Sequence, residues 1–151
     1  MPMLAGHAWL VCALSSAVLW GLSYALSEKI LKEFISPYFY MAVTGFIYFF
    51  ISLCLCLFIG NIKESFQTLL GNKEMLLLTL FTSVCYAAGA LLIYMAIGMK
   101  NATLANIIEI SYPLFTLLFA YLIYKDVQVT PWTAFGSLLV LSGVGVIALK
   151  G

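Results

Sequence analysis

The 151-residue sequence contains no arginine, one histidine and few charged residues of any kind. Charged side chains make up 9% of the chain, hydrophobic ones make up 64%, and the formal net charge is +1. A soluble domain of this length needs far more polar surface, so a water-soluble fold is excluded. Binding to nucleic acid is excluded as well, because the lysines are scattered and form no basic face.

Residue patterns typical of metal ligands and catalytic groups are also missing. The four cysteines lie inside apolar runs without Cys-x-x-Cys spacing, and thiols in such surroundings behave as small hydrophobes. The only histidine, His7, is near the start of the sequence with no serine partner in reach, and no phosphate-binding loop is present. We therefore expect neither an enzyme nor a bound metal or cofactor.

What the sequence does contain is five long apolar runs. Twelve of the thirteen charged residues lie between these runs or at the C-terminus. Crossing the hydrocarbon core takes about 20 residues of helix, and in lipid each segment must satisfy its own backbone hydrogen bonds. We predict an all-α integral membrane protein, a five-transmembrane-helix bundle that forms one domain over residues 1–151. The predicted helices are at about 8–27, 37–60, 75–98, 101–124 and 131–149.

The segments outside the runs are short. The first run is expected to be retained, because no basic region precedes it and it exceeds the roughly 7–15 apolar residues of a signal peptide. The longest gap, Asn61–Glu74, has Phe66, Leu69 and Leu70 at helical spacing, which favours a short helix lying in the membrane interface. No second domain is visible, so any activity must arise among the membrane helices.

Lysines give almost no signal for orientation. With five spans, one membrane face holds three lysines and the other holds four, whereas an excess of positive residues normally marks the cytoplasmic face. Two interpretations stay open. Either the orientation is fixed by other features, or copies insert in both directions and pair antiparallel. The three lysines are Lys63, Lys73 and Lys125, and the four are Lys29, Lys32, Lys100 and Lys150.

Glu109 is the one charged residue inside an apolar run. An ionisable group deep in the bilayer costs about 2.5–3.5 kcal/mol on insertion scales, so it should face a partner or a wet cavity. Asn106 precedes it by three residues and Pro113 follows by four, which places all three on one helical stripe. Pro113 has no N–H to bond the Glu109 carbonyl. This stretch predicts a proton-binding or substrate-binding site, although a purely structural acid remains the alternative.

Aromatic and small residues on other runs supply further candidates. Trp20, Tyr24 and Tyr86 are expected to form walls for an organic substrate, and Tyr112 lies beside Pro113. Gly136 and Gly143 are seven residues apart in the last run, where small residues let helices approach closely, within one chain or between two. Packing between helices is the competing explanation for most of these positions.

Several short motifs, in order along the chain, resemble the EamA-type repeat of the drug/metabolite transporter superfamily. They are Trp20-Gly21, Tyr94-Met-Ala96, Asn101–Ala105, Ile108-Glu-Ile-Ser-Tyr-Pro113-Leu-Phe, Asp126, and Gly136 with Gly143. The resemblance covers nearly the whole chain. Two features differ from the superfamily pattern: the first run has no acid before Glu28, and no arginine stands early in the second run.

The resemblance implies a secondary transporter of small organic metabolites or drugs in the bacterial cytoplasmic membrane, often proton-coupled and outward. Family members usually join two five-helix repeats, the second inverted relative to the first. One repeat therefore implies an antiparallel homodimer, with the lipid bilayer, a second copy and a small organic substrate as partners. A non-transporting or heterodimeric subunit, and a flippase for a lipid-linked sugar, remain alternative functions.

Overall fold

Helices account for all the regular structure in residues 2–33, 35–125 and 130–150, the parts of the chain that the computed structural model describes. Seven helices lie in these ranges, and no strand is found within them. In chain order they are α1 (Pro2–Lys32), α2 (Pro37–Phe58), α3 (Ile62–Gly71), α4 (Lys73–Met99), α5 (Ala102–Glu109), α6 (Tyr112–Tyr124) and α7 (Pro131–Lys150).

Four helical stretches are long and apolar enough to cross a membrane, and α7 adds a shorter apolar segment, Pro131–Ile147. Most large apolar side chains on these helices are exposed, for example Phe58 and Trp132. In water such a surface would aggregate, whereas in a bilayer it is solvated by acyl chains. The prediction of an all-α integral membrane protein is confirmed. The four stretches are Ala8–Lys32, Pro37–Phe58, Lys73–Met99 and Ala102–Tyr124.

The helix bounds differ from those expected at two places that bear on the site. The first helix runs on to Lys32 instead of ending near Ser27, so Glu28 belongs to a helix and not to a loop. The fourth apolar run, expected as a single helix, is divided between α5 and α6 at Ile110 and Ser111.

The chain separates into two compact units, of which residues 30–95 form one. The unit of residues 30–95 contains the end of α1, all of α2 and α3, and most of α4. Pro37 occupies the first turn of α2, where its missing N–H costs nothing. Asn72 begins α4 by accepting the backbone N–H groups of Glu74 and Met75 at 3.1 and 3.2 Å. The rings of Tyr40 and Tyr94 meet edge to face, with centroids 4.9 Å apart.

The other unit combines residues 1–29 with residues 96–151. It contains most of α1, the end of α4, and α5, α6 and α7, with α5 lying against α7. Tyr24, Ile97, Ala102 and Ala105 are buried here. The short helix α5 is thus the most enclosed element of this unit, and it carries Glu109 at its last position.

Candidate functional site

Two hydrogen bonds tie α1 to the two ends of α5. The Tyr24 hydroxyl donates to Glu109 Oε1 at 3.2 Å, and the backbone N–H of Ala102 donates to Glu28 Oε2 at 2.8 Å. Tyr24 and Glu28 are four residues apart, so they lie one turn apart on the same face of α1. Ala102 and Glu109 are the first and last residues of α5. The two helices are therefore antiparallel and joined at each end of the shorter one.

The sequence at the start of α5 explains why it approaches α1 closely. Ala102 and Ala105 are only 6% and 8% exposed, and small side chains of this kind let helix backbones come near each other in a membrane. Asn101, in an extended conformation just before the helix, accepts the backbone N–H of Leu104 at 2.8 Å. Together with Glu28 it satisfies two of the four N–H groups that a helix start leaves unpaired.

After Glu109 the backbone departs from α-helical geometry, and this break separates α5 from α6. Ile110 and Ser111 have ψ angles of −5° and −14°, far from the helical value of about −42°. The N–H of Ser111 bonds the carbonyl of Ile108, three residues back, instead of the usual four. Pro113 has no N–H to give. Within residues 35–125, no backbone N–H bonds the Glu109 carbonyl.

The Glu109 carboxyl has only one hydrogen-bond partner among the described residues. That bond, from Tyr24, is long compared with the usual 2.7–2.8 Å or so for O–H···O bonds. No buried side-chain oxygen or nitrogen in the described parts of the chain lacks a partner. Since Glu109 Oε2 has none, it must be open to its surroundings. A carboxylate can accept about four hydrogen bonds, so most of this capacity is left for water or a ligand.

A cavity of about 190 Å³ lies between α1 and α5. At roughly 30 Å³ per water molecule it holds about six waters, or a small organic group. Asn106 lines this cavity, and its side chain has no hydrogen-bond partner among the described residues. Tyr24 both lines the cavity and binds Glu109. The remaining lining residues are Gly21, Ala25, Ala102, Thr103 and Ile107.

A model of the EamA-like transporter family matches residues 7–149 of the chain. The chain belongs to the EamA-like transporter family. No curated protein and no solved structure gives a significant match. The resemblance seen in the sequence is thus confirmed over a single repeat, and the EamA-like family consists of membrane transporters of small molecules.

The EamA-like fold brings some of the candidate residues together. Tyr24, Asn106 and Glu109 are grouped along α1 and α5, and the Trp20 ring packs on Tyr24 with centroids 5.6 Å apart. Tyr112 directly follows the break and is 62% exposed. Tyr86 lies on α4 in the unit formed by residues 30–95 and is 58% exposed.

Gly136 and Gly143 of this EamA-like chain make no close contact within the described structure. A Cβ atom added at either position meets nothing within 4 Å, and both glycines lie on the exposed surface of α7. The space beside them is available to lipid or to another protein chain. Asp126, part of the motif pattern, lies outside the described residues.

Glu28 is the site residue that sequence reasoning missed. The apolar run ends at Ser27, and the helix predicted at about 8–27 leaves Glu28 in the connection that follows. One signal was available: Glu28 and Lys32 are spaced i, i+4, a pairing that stabilises a helix and favours its continuation. In this EamA-like chain the helix does continue, and it carries the Glu28 carboxylate to the first turn of α5.

Proposed function

We propose that two antiparallel copies of this chain form a secondary transporter that exports small organic metabolites or drugs across the cytoplasmic membrane in exchange for protons. The observation that carries the proposal is the Glu109 carboxyl, which is bonded through one oxygen to Tyr24 and open through the other. Its place at the join of a discontinuous span supports a transport role, since transporters commonly build their sites where membrane helices are broken.

The coupling follows from the chemistry of one carboxyl. When Glu109 is ionised it accepts hydrogen bonds from Tyr24 and from a donor group on the substrate. When it takes up a proton it becomes a donor itself and loses its attraction for that group. Proton and substrate therefore compete for the same oxygen atoms. Asn106 and the unbonded Glu109 carbonyl add polar contacts, while Trp20, Tyr24 and Tyr112 supply aromatic surface.

Two features of a single copy support pairing with a second one: its small cavity and its even distribution of lysines. The cavity of about 190 Å³ is smaller than the roughly 300–1,000 Å³ of typical small-molecule pockets. A second, inverted copy would enlarge it, as inverted repeats do in other transporters, and rocking of the two copies would expose the site alternately to each side. The even distribution of lysines supports insertion in both orientations.

The role of the Glu109 carboxyl in proton coupling is tested by gradient-driven uptake into proteoliposomes, with radiolabelled amino acids and ethidium as probes. We expect an imposed pH gradient to drive accumulation of at least one probe by the wild type. Glu109→Gln should reduce that accumulation to the level of empty vesicles. Glu74→Gln, the same change at an exposed acid of α4, serves as the matched control and should transport normally. Gradient-driven accumulation by Glu109→Gln would contradict the proposal.

The arrangement of the two copies is tested with Gly71→Cys, at the end of α3, in a background without the native cysteines. A membrane-impermeant maleimide should label about half of the protein in intact cells, and the other half only after the membrane is opened, if the copies insert in both orientations. Labelling from one side alone would contradict the antiparallel homodimer. Gly143→Leu should weaken self-crosslinking without unfolding the chain, since a Cβ placed there meets no other part of the described chain within 4 Å. Crosslinking to a different protein in native membranes would instead indicate a heterodimer.

A further inference from the structure

The helix α5 has few means of holding its position by itself. It has eight residues, about 12 Å of helix, and isolated helices shorter than about 12–15 residues are marginal even in favourable sequences. The break at Ile110 and Ser111 interrupts the regular backbone hydrogen bonds that would join it to α6. Its placement must therefore come from contacts to neighbouring helices. These contacts include the bond from the Ala102 N–H to Glu28 at 2.8 Å, which is shorter than the bond from Tyr24 to Glu109 at 3.2 Å.

We propose that Glu28 is a positioning residue, which holds the first turn of α5 against α1 and so keeps Glu109 within reach of Tyr24. The consequence for transport rests on the function proposed above. The structural part of the inference does not, because it concerns only how two helices are held together.

The Glu28 carboxylate suits this task for two reasons. The start of a helix presents unpaired N–H groups and a partial positive charge, both of which favour a carboxylate. In addition, Glu28 belongs to a different helix from the N–H that it accepts. Asn101 directly precedes α5 in the chain and caps it. This cap stabilises the helix but does not fix its position relative to α1. Glu28 instead links α5 to α1, one turn along α1 from Tyr24.

The position of Glu109 depends on this link because α5 is short and rigid. A shift of its first turn away from α1 is transmitted along two helical turns to Glu109. The Tyr24–Glu109 bond, already long at 3.2 Å, has little margin before it is lost. Loss of the Glu28 acceptor is therefore expected to break the contact at the far end of α5 as well.

The rate at which a hydrophobic carbodiimide modifies Glu109 tests this link without any need for transport. The reagent attacks protonated, accessible carboxyls, and mass spectrometry of the Glu109 peptide from the full chain in proteoliposomes gives the rate. Tyr24→Phe removes the hydroxyl that covers Glu109 and should raise the rate about 2- to 10-fold, the equivalent of one net hydrogen bond. Glu28→Ala should give a similar increase, because it releases the same contact indirectly.

Two control variants separate positioning from a general loss of structure. Glu28→Gln keeps an acceptor oxygen and should return the rate close to that of the wild type. Asn101→Ala removes a cap of α5 but leaves the link to α1, and should change the rate less than Glu28→Ala. Equal effects of Asn101→Ala and Glu28→Ala would overturn the inference, since Glu28 would then act as a cap alone.

The double variant Glu28→Ala, Tyr24→Phe gives the sharpest outcome. If Glu28 acts through the Tyr24 contact, its removal has no further effect once the hydroxyl is gone, and the double variant labels at the rate of Tyr24→Phe. Independent effects would multiply instead, and that result would overturn the proposal. Should the labelling pattern hold while Glu109→Gln still accumulates the probes, the transport proposal fails and the positioning role of Glu28 stands.

Discussion

The two halves of the fourth span, α5 and α6, differ sharply although they belong to one apolar stretch, Ala102–Tyr124. The eight residues of α5 include buried Ala102 and Ala105, three polar side chains, and links to α1 at both ends. In contrast, no residue of α6 is buried. Bulky side chains such as Phe115 and Phe119 are more than half exposed along it.

The difference shows how side-chain size and polarity divide one membrane span into two roles. Alanines let α5 approach another helix closely, and the polar groups then find partners there. Phenylalanine, leucine and tyrosine hold neighbours away from α6 and favour contact with acyl chains or with a second protein chain. The hydroxyl of Thr116, the one serine or threonine of α6, donates to the Tyr112 carbonyl of its own helix. The break between the halves allows each to keep its own orientation.

The largest effect, a loss of transport, is expected from a substitution that joins α5 and α6 into one helix. Pro113→Ala supplies an N–H that can bond the Glu109 carbonyl and extend α5 into α6 as one helix. Glu109 would then rotate away from Tyr24, so we expect gradient-driven uptake of the probes to fall to background. Folding stability should change by about 1 kcal/mol or less, because Pro113 lies in the tolerant first turn of α6. Normal uptake by a folded Pro113→Ala protein would show that the break is unimportant.

A matched pair of alanine substitutions tests which half is packed. Ala105→Leu forces a large side chain into a closely packed contact and should cost about 1–3 kcal/mol in unfolding free energy. Ala120→Leu makes the same change on α6, at a position only partly enclosed, and should cost about 0.5 kcal/mol or less. Unfolding in mixed detergent micelles measures both. Equal costs would remove the distinction drawn here between the two halves.

A smaller difference in folding stability should distinguish the start of α5 from the start of α6. The Asn101 side chain caps α5, so Asn101→Ala should cost about 1 kcal/mol. Ser111 occupies the same position before α6 without a side-chain capping bond, and Ser111→Ala should be nearly neutral. The same unfolding assay applies. A larger loss for Ser111→Ala than for Asn101→Ala would mean that the start of α6 carries more of the stability.

The sequence predicts most of the fold because charge and hydropathy mark the spans directly. The apolar runs and the charged gaps between them led to an all-helical membrane protein, and ordered motifs such as Trp20-Gly21 led to the EamA-type family; both are confirmed. Glu109 stood out because it is the only charge inside a run. Its roles in proton exchange and substrate binding stay predictions.

The contacts of the site could not be predicted from one sequence. Which helix faces Glu109 depends on the rotation of α1 about its axis, and neither hydropathy nor spacing fixes that rotation. Tyr24 was singled out as an aromatic wall, not as a hydrogen-bond donor to the acid. Glu28 escapes prediction because the apolar run ends at Ser27, whereas the helix continues to Lys32. The break after Glu109 depends on local backbone angles that Pro113 permits without requiring.

The most direct test of the account is whether water reaches position 109 inside the span. Glu109→Cys, Asn106→Cys and Phe119→Cys are made one at a time in a background without native cysteines, and each is exposed to a water-soluble methanethiosulfonate, which reacts with hydrated thiolates. We predict modification at positions 109 and 106 on α5 and protection at position 119 on α6. Protection at position 109 equal to that at 119 would contradict the central claim, because the carboxyl would then face acyl chains with no aqueous path to it.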